Sequence, residues 1–306
     1  MSDEIVDIFA AAEDQVGSMS RIAIIGSGIA GMTVAHRLHG THELTLFEAN
    51  DYAGGHTATV DVELRGRHYA IDTGFIVFND WTYPNFIALL DEVGAGWQWS
   101  NMSFSFRCDR TGLEYNGTSV NSLFAQRRNI LRPSFLRMVL DILRFNGRAR
   151  ELLATEDDSL TLGEYLSRSG YSAAFIERYI VPMGKSIWSA TQAGMLEFPA
   201  RFFVEFFDKH GFLNVDNRPV WRTVKGGSRE YLRRLIAPFQ NRIRLSTPIA
   251  GVRRSRDGVS LRTRRGDVEH FDEVIFACHS DQALAIIEDP SAQEREILGA
   301  FPYQPN

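Results

Sequence analysis

The sequence predicts an α/β fold in which a parallel-sheet domain is interrupted by a mainly helical insertion. Residues 21–48 have the apolar pattern of a strand, a helix and a second strand. Residues 81–221 have mostly helical spacing, and short strand-like runs return after Trp221. Because parallel strands need a crossover connection, which is usually a helix, the first of these segments indicates a parallel sheet.

The domain boundaries follow from these changes of pattern. We expect residues 19–80 and 222–306 to form one discontinuous domain and residues 81–221 to form the inserted domain. Residues 1–18, which are acidic and have no signal-peptide pattern, are expected to be a disordered leader. The net charge of −5 gives the 306-residue chain no overall attraction to nucleic acid, so no nucleic-acid partner is expected.

Cysteine usage indicates the compartment. The two cysteines, Cys108 and Cys278, lie far apart in the sequence and form no pattern with histidines. This argues against a disulfide framework and a zinc site, and it fits the reducing cytoplasm. No apolar run reaches the roughly 18 residues of a membrane-spanning helix. We therefore expect a cytoplasmic protein without a metal site, and the sequence leaves its oligomeric state open.

A glycine-rich turn follows the first strand. The turn comprises Gly26, Ser27, Gly28, Ile29, Ala30 and Gly31. Gly26 permits a tight turn, Gly28 lets the backbone approach a pyrophosphate, and Gly31 allows close packing of the helix on the strand. Glu48 ends the second strand, 17 residues after Gly31, close to where an acid that binds ribose hydroxyls is expected. Together these residues predict a Rossmann-like dinucleotide-binding domain.

Later segments predict the rest of the sheet domain. Gly54-Gly55-His56 precedes two alternating runs around Arg65-Gly66, which indicate a hairpin that ends at Asp72-Thr73-Gly74-Phe75. After Trp221, the pattern predicts a helix, a three-stranded antiparallel meander and a last buried strand. These elements are expected at residues 229–235, at 249–254, 259–263 and 268–271, and at 274–277.

Several of these segments resemble the amine-oxidase-like superfamily of FAD-dependent oxidoreductases. The stretch from Glu48 to His56 (EANDYAGGH) is similar to the superfamily's E-A-x-x-x-x-G-G segment after the second strand. Residues 225–228 (KGGS), 247–249 (TPI) and 274–277 (VIFA) resemble its later segments. The phrases DTGFIVFN, PMGKSIWS and ACHSDQAL are similar to those of a bacterial subfamily of predicted NAD/FAD-binding flavoproteins. The resemblance covers nearly all of the chain after residue 20.

The resemblance implies a FAD cofactor, a FAD-binding sheet domain and a helical substrate domain. The paired glycines would approach the FAD phosphates and the flavin, the end of the hairpin would pass the isoalloxazine ring, and the backbone near Ile249 would meet the adenine. The implied cofactor-binding residues are Gly26, Ser27, Gly28, Ile29, Ala30, Gly31, Glu48, Ala49, Gly54, Gly55, His56, Thr73, Gly74, Phe75 and Ile249. Where monoamine oxidases have arginines that neutralise the pyrophosphate, this sequence has Asn50 and His56. Compensation of the phosphate charge is then left to other groups or to the helix dipole.

The resemblance also implies that the chain is truncated at its C-terminus, because the superfamily normally continues well beyond the position of Asn306. The part expected to be missing holds the last flavin-contacting glycine motif. It also holds the position near flavin N5 where many amine oxidases have a lysine. The catalytic residue is therefore left unidentified.

Aromatic residues are concentrated in the insertion. Six phenylalanines fall within residues 198–212. Four of them are expected on one face of a helix: Phe202, Phe203, Phe206 and Phe207. This face is either the core of the inserted domain or an apolar wall for a substrate, and the sequence leaves both interpretations open.

Residues 121–150 form a basic segment with seven arginines and one acidic residue, Asp141. Four apolar residues recur there at helical spacing: Leu136, Val139, Leu140 and Leu143. A basic amphipathic helix is typical of docking on anionic lipid, which would place a cytoplasmic protein peripherally at the inner face of the membrane. The alternative is a solvated arginine face over a packed helix.

The function expected from these observations is FAD-dependent oxidation or desaturation of an apolar substrate, in particular a lipid acyl chain, by hydride transfer to flavin. Proteins of the resembling subfamily occur beside, or fused to, cyclopropane-fatty-acid synthases, which favours a lipid. Two alternatives stay open: an oxidase of a small amine, and a catalytically inactive fragment or lipid-binding module. The lack of a Ser-His-acid pattern does not count against an enzyme, because flavin supplies the redox chemistry.

Overall fold

The structure is a computed structural model that describes residues 19–154, 158–301 and 303. The predicted leader, residues 1–18, lies outside the described residues. Among the described residues, no helix is long and apolar enough to cross a membrane.

Contacts along the chain divide it into two compact units. The first unit comprises the described residues up to Ile76, Val93–Ala95 and those from Val224 onward. The second unit comprises Val77–Glu92 and Gly96–Thr223. The sequence pattern changes nearby, between residues 80 and 81 and between residues 221 and 222.

The secondary structure mixes short strands with helices. The strands are β1 (Arg21–Ile25), β2 (Glu43–Phe47), β3 (Thr59–Leu64), β4 (Arg67–Asp72), β5 (Phe78–Asn79), β6 (Trp97–Trp99), β7 (Ser105–Cys108), β8 (Leu113–Asn116), β9 (Trp221–Val224), β10 (Ile243–Arg244), β11 (Ile249–Ser255), β12 (Gly258–Thr263), β13 (Val268–Phe271) and β14 (Glu273–Phe276). The α-helices are α1 (Ile29–Leu38), α2 (Pro84–Glu92), α3 (Val120–Leu123), α4 (Pro133–Arg148), α5 (Leu162–Arg168), α6 (Ala173–Phe175), α7 (Val181–Trp188), α8 (Gln192–Glu197), α9 (Ala200–Lys209), α10 (Arg229–Ile236), α11 (Ser280–Ile286) and α12 (Ala292–Gly299). Further 3-10 and π turns cover Arg127–Leu131, Ala149–Ala154, Ile176–Ile180 and Ala237–Arg242.

The first unit is built on a parallel sheet with the strand order β10-β2-β1-β14. The central strand β1 is buried over its last four residues, as expected for a parallel strand covered on both faces. Ile22 and Ile24 pack in one cluster with Ala35 of α1. Ala23 and Ile25 pack in a second cluster with the antiparallel meander β11-β12-β13. The sheet is therefore the middle of three layers, between helices and the meander.

The predicted fold class is confirmed by this arrangement, and the strands predicted for the sheet domain are present with similar bounds. The sequence pattern did not predict β10 or the 3-10 turn Ala237–Arg242 that precedes it. Strand β10 has only two residues, which is too short for an apolar period to show. It pairs with β2 in parallel and extends the sheet by one strand.

The hairpin β3-β4 turns at two residues, as predicted. Arg65 and Gly66 have φ angles of 53° and 71°, and Leu64 pairs with Arg67 across the turn. Two central residues with positive φ are typical of the type I′ turn, whose twist matches that of the paired strands.

The second unit has a core of aromatic side chains. Phe145, Phe175, Phe203 and Phe207 are buried in this core, and the rings of Phe203 and Phe207 stack with centroids 4.2 Å apart. Of the four phenylalanines predicted on one face of α9, Phe203 and Phe207 lie in the core, whereas Phe202 is 53% exposed. Neighbouring helical residues point about 100° apart, and the buried stripe is too narrow to include Phe202.

The structure also contains strands in and beside the inserted segment that the sequence pattern did not predict. Strands β7 and β8 form an antiparallel hairpin, and β5, β9 and β6 form a small sheet. These strands have two to four residues each, so they contain too little sequence for an alternating pattern to be recognised.

A proline interrupts the helical hydrogen bonds at the start of α7. Pro182 has no N–H, so the carbonyl of Arg178, four residues earlier, cannot receive the usual α-helical bond. The hydroxyl of the buried Tyr115 donates a hydrogen bond to this carbonyl oxygen at 2.6 Å. Burial raises the pKa of Tyr115 above its ordinary value, so the hydroxyl stays a donor. Tyr115 thereby joins the hairpin β7-β8 to the helices.

Removal of this hydroxyl should destabilise the second unit. We expect Tyr115→Phe to lower the free energy of unfolding by about 1–3 kcal/mol, because the carbonyl of Arg178 loses its donor. Urea unfolding followed by circular dichroism measures the change. Tyr52→Phe, at an exposed tyrosine, is the control and should stay within about 0.5 kcal/mol of the wild type. Equal stability of the two variants would contradict the role assigned to Tyr115.

A buried carboxylate sets the orientation of α4. Asp141 is buried and forms ion pairs with Arg137 at 3.3 Å and with Arg144 at 3.1 Å, and the backbone N–H of Ser172 donates to it at 3.0 Å. Burial acts to raise the pKa of Asp141, but hydrogen bonds from Ser172 and the charges of the two arginines outweigh that effect. The pKa of Asp141 therefore lies below its ordinary value, and the folded protein holds the charged form.

We expect Asp141→Asn to lower the free energy of unfolding by about 1–3 kcal/mol at neutral pH, because hydrogen bonds to a charged group are lost. Since the pKa of Asp141 is lowered on folding, its stabilising effect is complete above the unfolded-state pKa of about 3.9 and is lost as the pH falls through the folded-state pKa. The difference between variant and wild type should therefore shrink below about pH 4.

Urea unfolding at neutral pH and at about pH 3 tests this pH dependence. Asp109→Asn is the control, because Asp109 is exposed and its ion pair with Arg107 lies at the surface. A destabilisation by Asp141→Asn that is the same at both pH values would show that the charge of Asp141 is not its cause.

Candidate dinucleotide-binding site

The glycine-rich turn lies at the carboxyl end of β1, within the first unit. Gly26 has a φ angle of 107°, and its N–H donates to the carbonyl oxygen of Phe47 at 2.9 Å. A Cβ at Gly26 would lie 2.5 Å from the carbonyl oxygen of Ala277. Only glycine fits this position, because the backbone is left-handed and lies against the ends of both neighbouring strands.

Gly28 and Gly31 have different surroundings, although both belong to the same motif. A Cβ at Gly31 would lie 2.0 Å from the carbonyl oxygen of Gly26, whereas a Cβ at Gly28 would have no atom within 4 Å. Gly31 therefore serves the packing of α1, and Gly28 leaves open space at the helix N-terminus. Ile29 and Ala30 are exposed at the same turn. The N–H groups of a first helical turn have no partner within the helix, and the helix dipole favours an anion there.

Glu48 is a buried acid at the end of β2. Its Oε2 accepts hydrogen bonds from the N–H of Ser27, at 3.1 Å, and from the Ser27 hydroxyl. Its Oε1 accepts from the N–H of Asn50 at 2.9 Å. A carboxylate has about four acceptor positions, so about one stays available for a ribose hydroxyl. Ala49 follows Glu48 and is exposed.

The second glycine pair meets the first glycine motif. The N–H of Gly54 donates to the carbonyl oxygen of Ser27 at 3.0 Å. A Cβ at Gly55 would lie 3.3 Å from the Cα of Gly28. The hydroxyl oxygen of Ser27 also accepts from the Gly54 N–H, at 3.4 Å. The fold therefore brings together backbone from both motifs.

The end of the hairpin β3-β4 lies against the second glycine pair. A Cβ at Gly74 would lie 2.1 Å from the carbonyl oxygen of His56, so only glycine allows this approach. The N–H of Thr73 donates to the carbonyl oxygen of Ala58 at 3.0 Å. Thr73 is exposed and Phe75 is partly buried. These contacts hold the hairpin end beside His56.

Asp72 holds the end of the hairpin β3-β4 against the KGGS segment by hydrogen bonds. Its Oδ1 accepts hydrogen bonds from the hydroxyl of Thr59 at 2.7 Å and from the N–H and hydroxyl of Ser228, both at 2.8 Å. These bonds join the hairpin to the KGGS segment. A Cβ at Gly227 would lie 2.4 Å from Cγ2 of Thr59, which explains a glycine at that position of the segment.

The TPI segment reaches the same edge of the sheet through its backbone. The N–H of Thr247 donates to the carbonyl oxygen of Glu48 at 2.8 Å. Ile249 begins β11. Its buried side chain packs with Phe47 in the cluster between the parallel sheet and the meander. Ile249 therefore belongs to the core, and its backbone lies next to the end of β2.

His279 is a residue of this region that the sequence analysis did not select. It follows β14 and precedes α11, and its ring lies parallel to that of His56 with centroids 6.2 Å apart. The ring of Tyr303 stacks on His279 with centroids 4.7 Å apart. The signal available in the sequence was its position after a buried strand, because ligands bind at the carboxyl ends of parallel strands.

These residues fit a dinucleotide. Gly28 and Gly55 leave backbone accessible where a pyrophosphate would lie, and Glu48 has an acceptor position for a ribose. His56, exposed beside the paired glycines, can donate a hydrogen bond to an anion. Among the described residues, no group of three or more histidines, cysteines or acids is placed to hold a metal ion.

Comparisons with known proteins agree with this geometry. The sequence pattern of the family of flavin containing amine oxidoreductases matches residues 29–305. The chain belongs to this family. Membership confirms the resemblance seen in the sequence and the predicted cofactor, FAD.

One curated relative and several solved structures are similar to the chain over different lengths. A zeta-carotene desaturase of chloroplasts and chromoplasts from Solanum lycopersicum is 39% identical over 80 residues, which is 26% of this chain and 13% of that protein. Cyclohexylamine oxidase from Brevibacterium oxydans IH-35A has a TM-score of 0.69 at 17% identity and covers 92% of this chain. A CLA-producing fatty acid isomerase from P. acnes has a TM-score of 0.62 at 18% identity and covers 93%.

These structural likenesses show the fold. The chain spans 63% of the cyclohexylamine oxidase chain and 64% of the fatty acid isomerase chain. A putrescine oxidase bound to putrescine is similar to the same extent, with a TM-score of 0.61 at 18% identity, 92% of this chain and 63% of that chain.

The different surroundings of Gly28 and Gly31 predict different effects of the same substitution. Gly28→Ala should leave the stability of the protein within about 1 kcal/mol of the wild type. It should weaken FAD binding at least about ten-fold, because the methyl group occupies the space that the pyrophosphate needs. Gly31→Ala should instead destabilise the fold, because its Cβ meets the backbone of Gly26. Thermal unfolding and equilibrium dialysis with FAD measure the two effects.

Gly40→Ala is the matched control, because a Cβ there would also meet no atom within 4 Å. It should change neither stability nor FAD binding by more than the measurement error. Normal FAD affinity of the Gly28→Ala variant would contradict the placement of the pyrophosphate at this turn.

Proposed function

We propose that the protein is a FAD-dependent oxidoreductase that oxidises or desaturates an apolar substrate of the lipid acyl-chain class. The observation on which the cofactor part rests is the meeting of Gly28 and Gly55 at an open helix N-terminus, beside the buried Glu48. Family membership supports the same cofactor. The substrate part rests on the second unit.

When bound, FAD supplies the acceptor for a hydride from a substrate C–H bond. Desaturation removes two hydrogens from neighbouring carbons, so the second hydrogen leaves as a proton to solvent or to a base. Oxygen or another acceptor of two electrons would have to take up the two electrons that the substrate loses. The residues of this chain contribute binding of the cofactor, its orientation and the exclusion of water.

The second unit offers an apolar surface outside its core. We call Trp188, Phe198, Phe202 and Phe206 the outer aromatic layer. The ring centroids of Trp188 lie 5.0 Å from Phe198 and 4.8 Å from Phe206, and those of Phe198 and Phe202 lie 5.5 Å apart. Each of these side chains is at least partly exposed. An aromatic surface of this kind removes hydrocarbon from water, so it supports an apolar substrate.

The similar proteins act on substrates of two chemical kinds. The names of the carotene desaturase and the fatty acid isomerase denote long apolar substrates, whereas those of cyclohexylamine oxidase and putrescine oxidase denote amines. The outer aromatic layer favours the first kind, since all four of its side chains are aromatic rings that remove hydrocarbon from water.

The test has two steps. The purified protein is incubated with FAD, and its visible absorption and the cofactor released by heat are measured. We expect the wild type and the Gly40→Ala variant to show the visible absorption bands of bound FAD. The Gly28→Ala variant should not show these bands. The loaded protein is then mixed without oxygen with fatty acids, with phospholipids, with putrescine and with cyclohexylamine. Bleaching of the flavin by an acyl lipid, with formation of a new double bond or an oxidised carbon, is the expected result.

The outcomes separate the two parts of the proposal. A protein that takes up no FAD contradicts the cofactor part. A protein that takes up FAD and is bleached only by amines contradicts the acyl-chain part and favours a small-amine oxidase. For an acyl substrate, Phe202→Ser should raise KM more than it changes kcat, because Phe202 supplies apolar contact and no chemistry.

A further inference from the structure

A row of leucines on α4 faces solvent. We call Leu136, Leu140 and Leu143 the leucine stripe. They are spaced i, i+4 and i+7, which places them on one side of the helix. Leu140 is 62% exposed and Leu143 is 52% exposed. These leucines therefore face solvent, and the buried side of α4 is formed by Phe135, Met138 and Phe145.

The exposure of the leucine stripe follows from the way in which α4 is held. The helix cannot rotate to bury its leucines without exposing Phe135, Met138 and Phe145 and breaking the hydrogen bond that the N–H of Ser172, on another segment, donates to Asp141. The inward side is thus stabilised by both packing and charge. The stripe is a permanent feature of the folded second unit.

The apolar surface continues into the turn before α4. Ile130 and Leu131 belong to the 3-10 turn Arg127–Leu131, and Leu131 is 85% exposed. Single exposed apolar residues are common on protein surfaces, but contiguous apolar patches mark interaction sites. The turn and the helix together present five exposed aliphatic side chains within residues 130–143.

The same segment has a strong positive charge. Its arginines at 127 and 128 donate to backbone carbonyls of Phe124 and Gly112 and to the side-chain oxygen of Asn121, none of which neutralises a charge. Arg148 pairs with Glu151 at 3.4 Å, but both side chains are about two-thirds exposed, so solvent weakens the pair. The segment 121–150 is thus basic in a chain whose net charge is −5.

We propose that the leucine stripe and the surrounding arginines dock on the surface of an anionic lipid bilayer. Aliphatic side chains flanked by arginines match the two layers of a membrane interface, because the leucines enter the acyl boundary while the arginines meet lipid phosphates. Nucleic acid would satisfy the arginines but would leave the leucines in water. The proposal does not depend on FAD or on catalysis, so it can fail or succeed separately from the proposed function.

Binding of the full chain to vesicles tests the proposal. The probes are vesicles of phosphatidylcholine alone and of phosphatidylcholine mixed equally with phosphatidylglycerol, and co-sedimentation measures binding. We expect binding to the anionic vesicles that is at least about ten-fold stronger than to the neutral ones. The binding should weaken as salt is raised, because salt screens exposed charges.

Two pairs of matched variants separate the apolar and the charged contributions. Leu140→Ser with Leu143→Ser should weaken binding at least about ten-fold. Val215→Ser with Ile297→Ser, at positions that are similarly exposed, should not. A thermal melt of each double variant checks that it is folded, which is expected because all four positions are exposed.

The second pair removes two positive charges from different places. Arg132→Gln with Arg148→Gln should weaken binding to anionic vesicles and leave binding to neutral ones unchanged. Arg256→Gln with Arg265→Gln removes the same charge from two exposed turns of the first unit and should have little effect.

Several results would overturn the proposal. These are no binding to anionic vesicles at low salt, equal binding to neutral vesicles, and normal binding by the leucine double variant. A change from dimer to monomer in sedimentation caused by the leucine substitutions would also overturn it, because the stripe would then be covered by a second copy of the chain.

Discussion

The candidate dinucleotide site depends on one buried carboxylate, that of Glu48. A buried charge is costly unless it is hydrogen-bonded, and here it accepts three hydrogen bonds from Ser27 and Asn50. The carbonyl of Ser27 in turn accepts the N–H of Gly54, so the carboxylate links the turn after β1, the end of β2 and the paired glycines. Hydrogen bonds of the Ser27 backbone and hydroxyl, rather than apolar packing, bring the two glycine motifs together. An acid at residue 48 is thus required by the fold before any ribose is bound.

The glycine motifs could be predicted from the sequence because each glycine meets a backbone requirement at a fixed spacing. Gly26, Gly31 and Gly74 have no room for a side chain, and Gly28 has room that the protein itself does not fill. His279 could not be predicted in this way. It reaches the site because β14 lies beside β1 in the sheet, and a pairing between strands so far apart in the chain leaves no local pattern. Strand β10 could not be predicted for a different reason: its two residues are too few to form an apolar pattern.

Helix α4 shows that an apolar period predicts a helix better than it predicts which side of the helix is buried. Two sets of apolar residues have helical spacing in α4, and only one set can face the core. They are Phe135, Met138 and Phe145, which are buried, and Leu136, Leu140 and Leu143, which are exposed. The choice is made by Asp141, a residue that looks solvent-exposed from sequence because charged side chains are rarely buried. Its hydrogen bond from the N–H of Ser172, on another segment, forms only when Phe135, Met138 and Phe145 face inward. A polar contact between distant segments therefore decides a question that hydrophobicity leaves open.

A flavoprotein needs few polar catalytic side chains, because the cofactor supplies the redox chemistry, so its specificity depends largely on apolar surface. The second unit has two such surfaces of different character. The outer aromatic layer is continuous with the core, since Trp188 lies 5.5 Å from the buried Phe203, and packing holds its rings in place. The leucine stripe stands on the far side of α4 from the core and touches solvent. A rigid aromatic surface can orient a single substrate molecule, whereas a row of flexible aliphatic chains among arginines suits a fluid surface without a fixed shape. This difference in chemistry is the reason to assign the two surfaces to different partners.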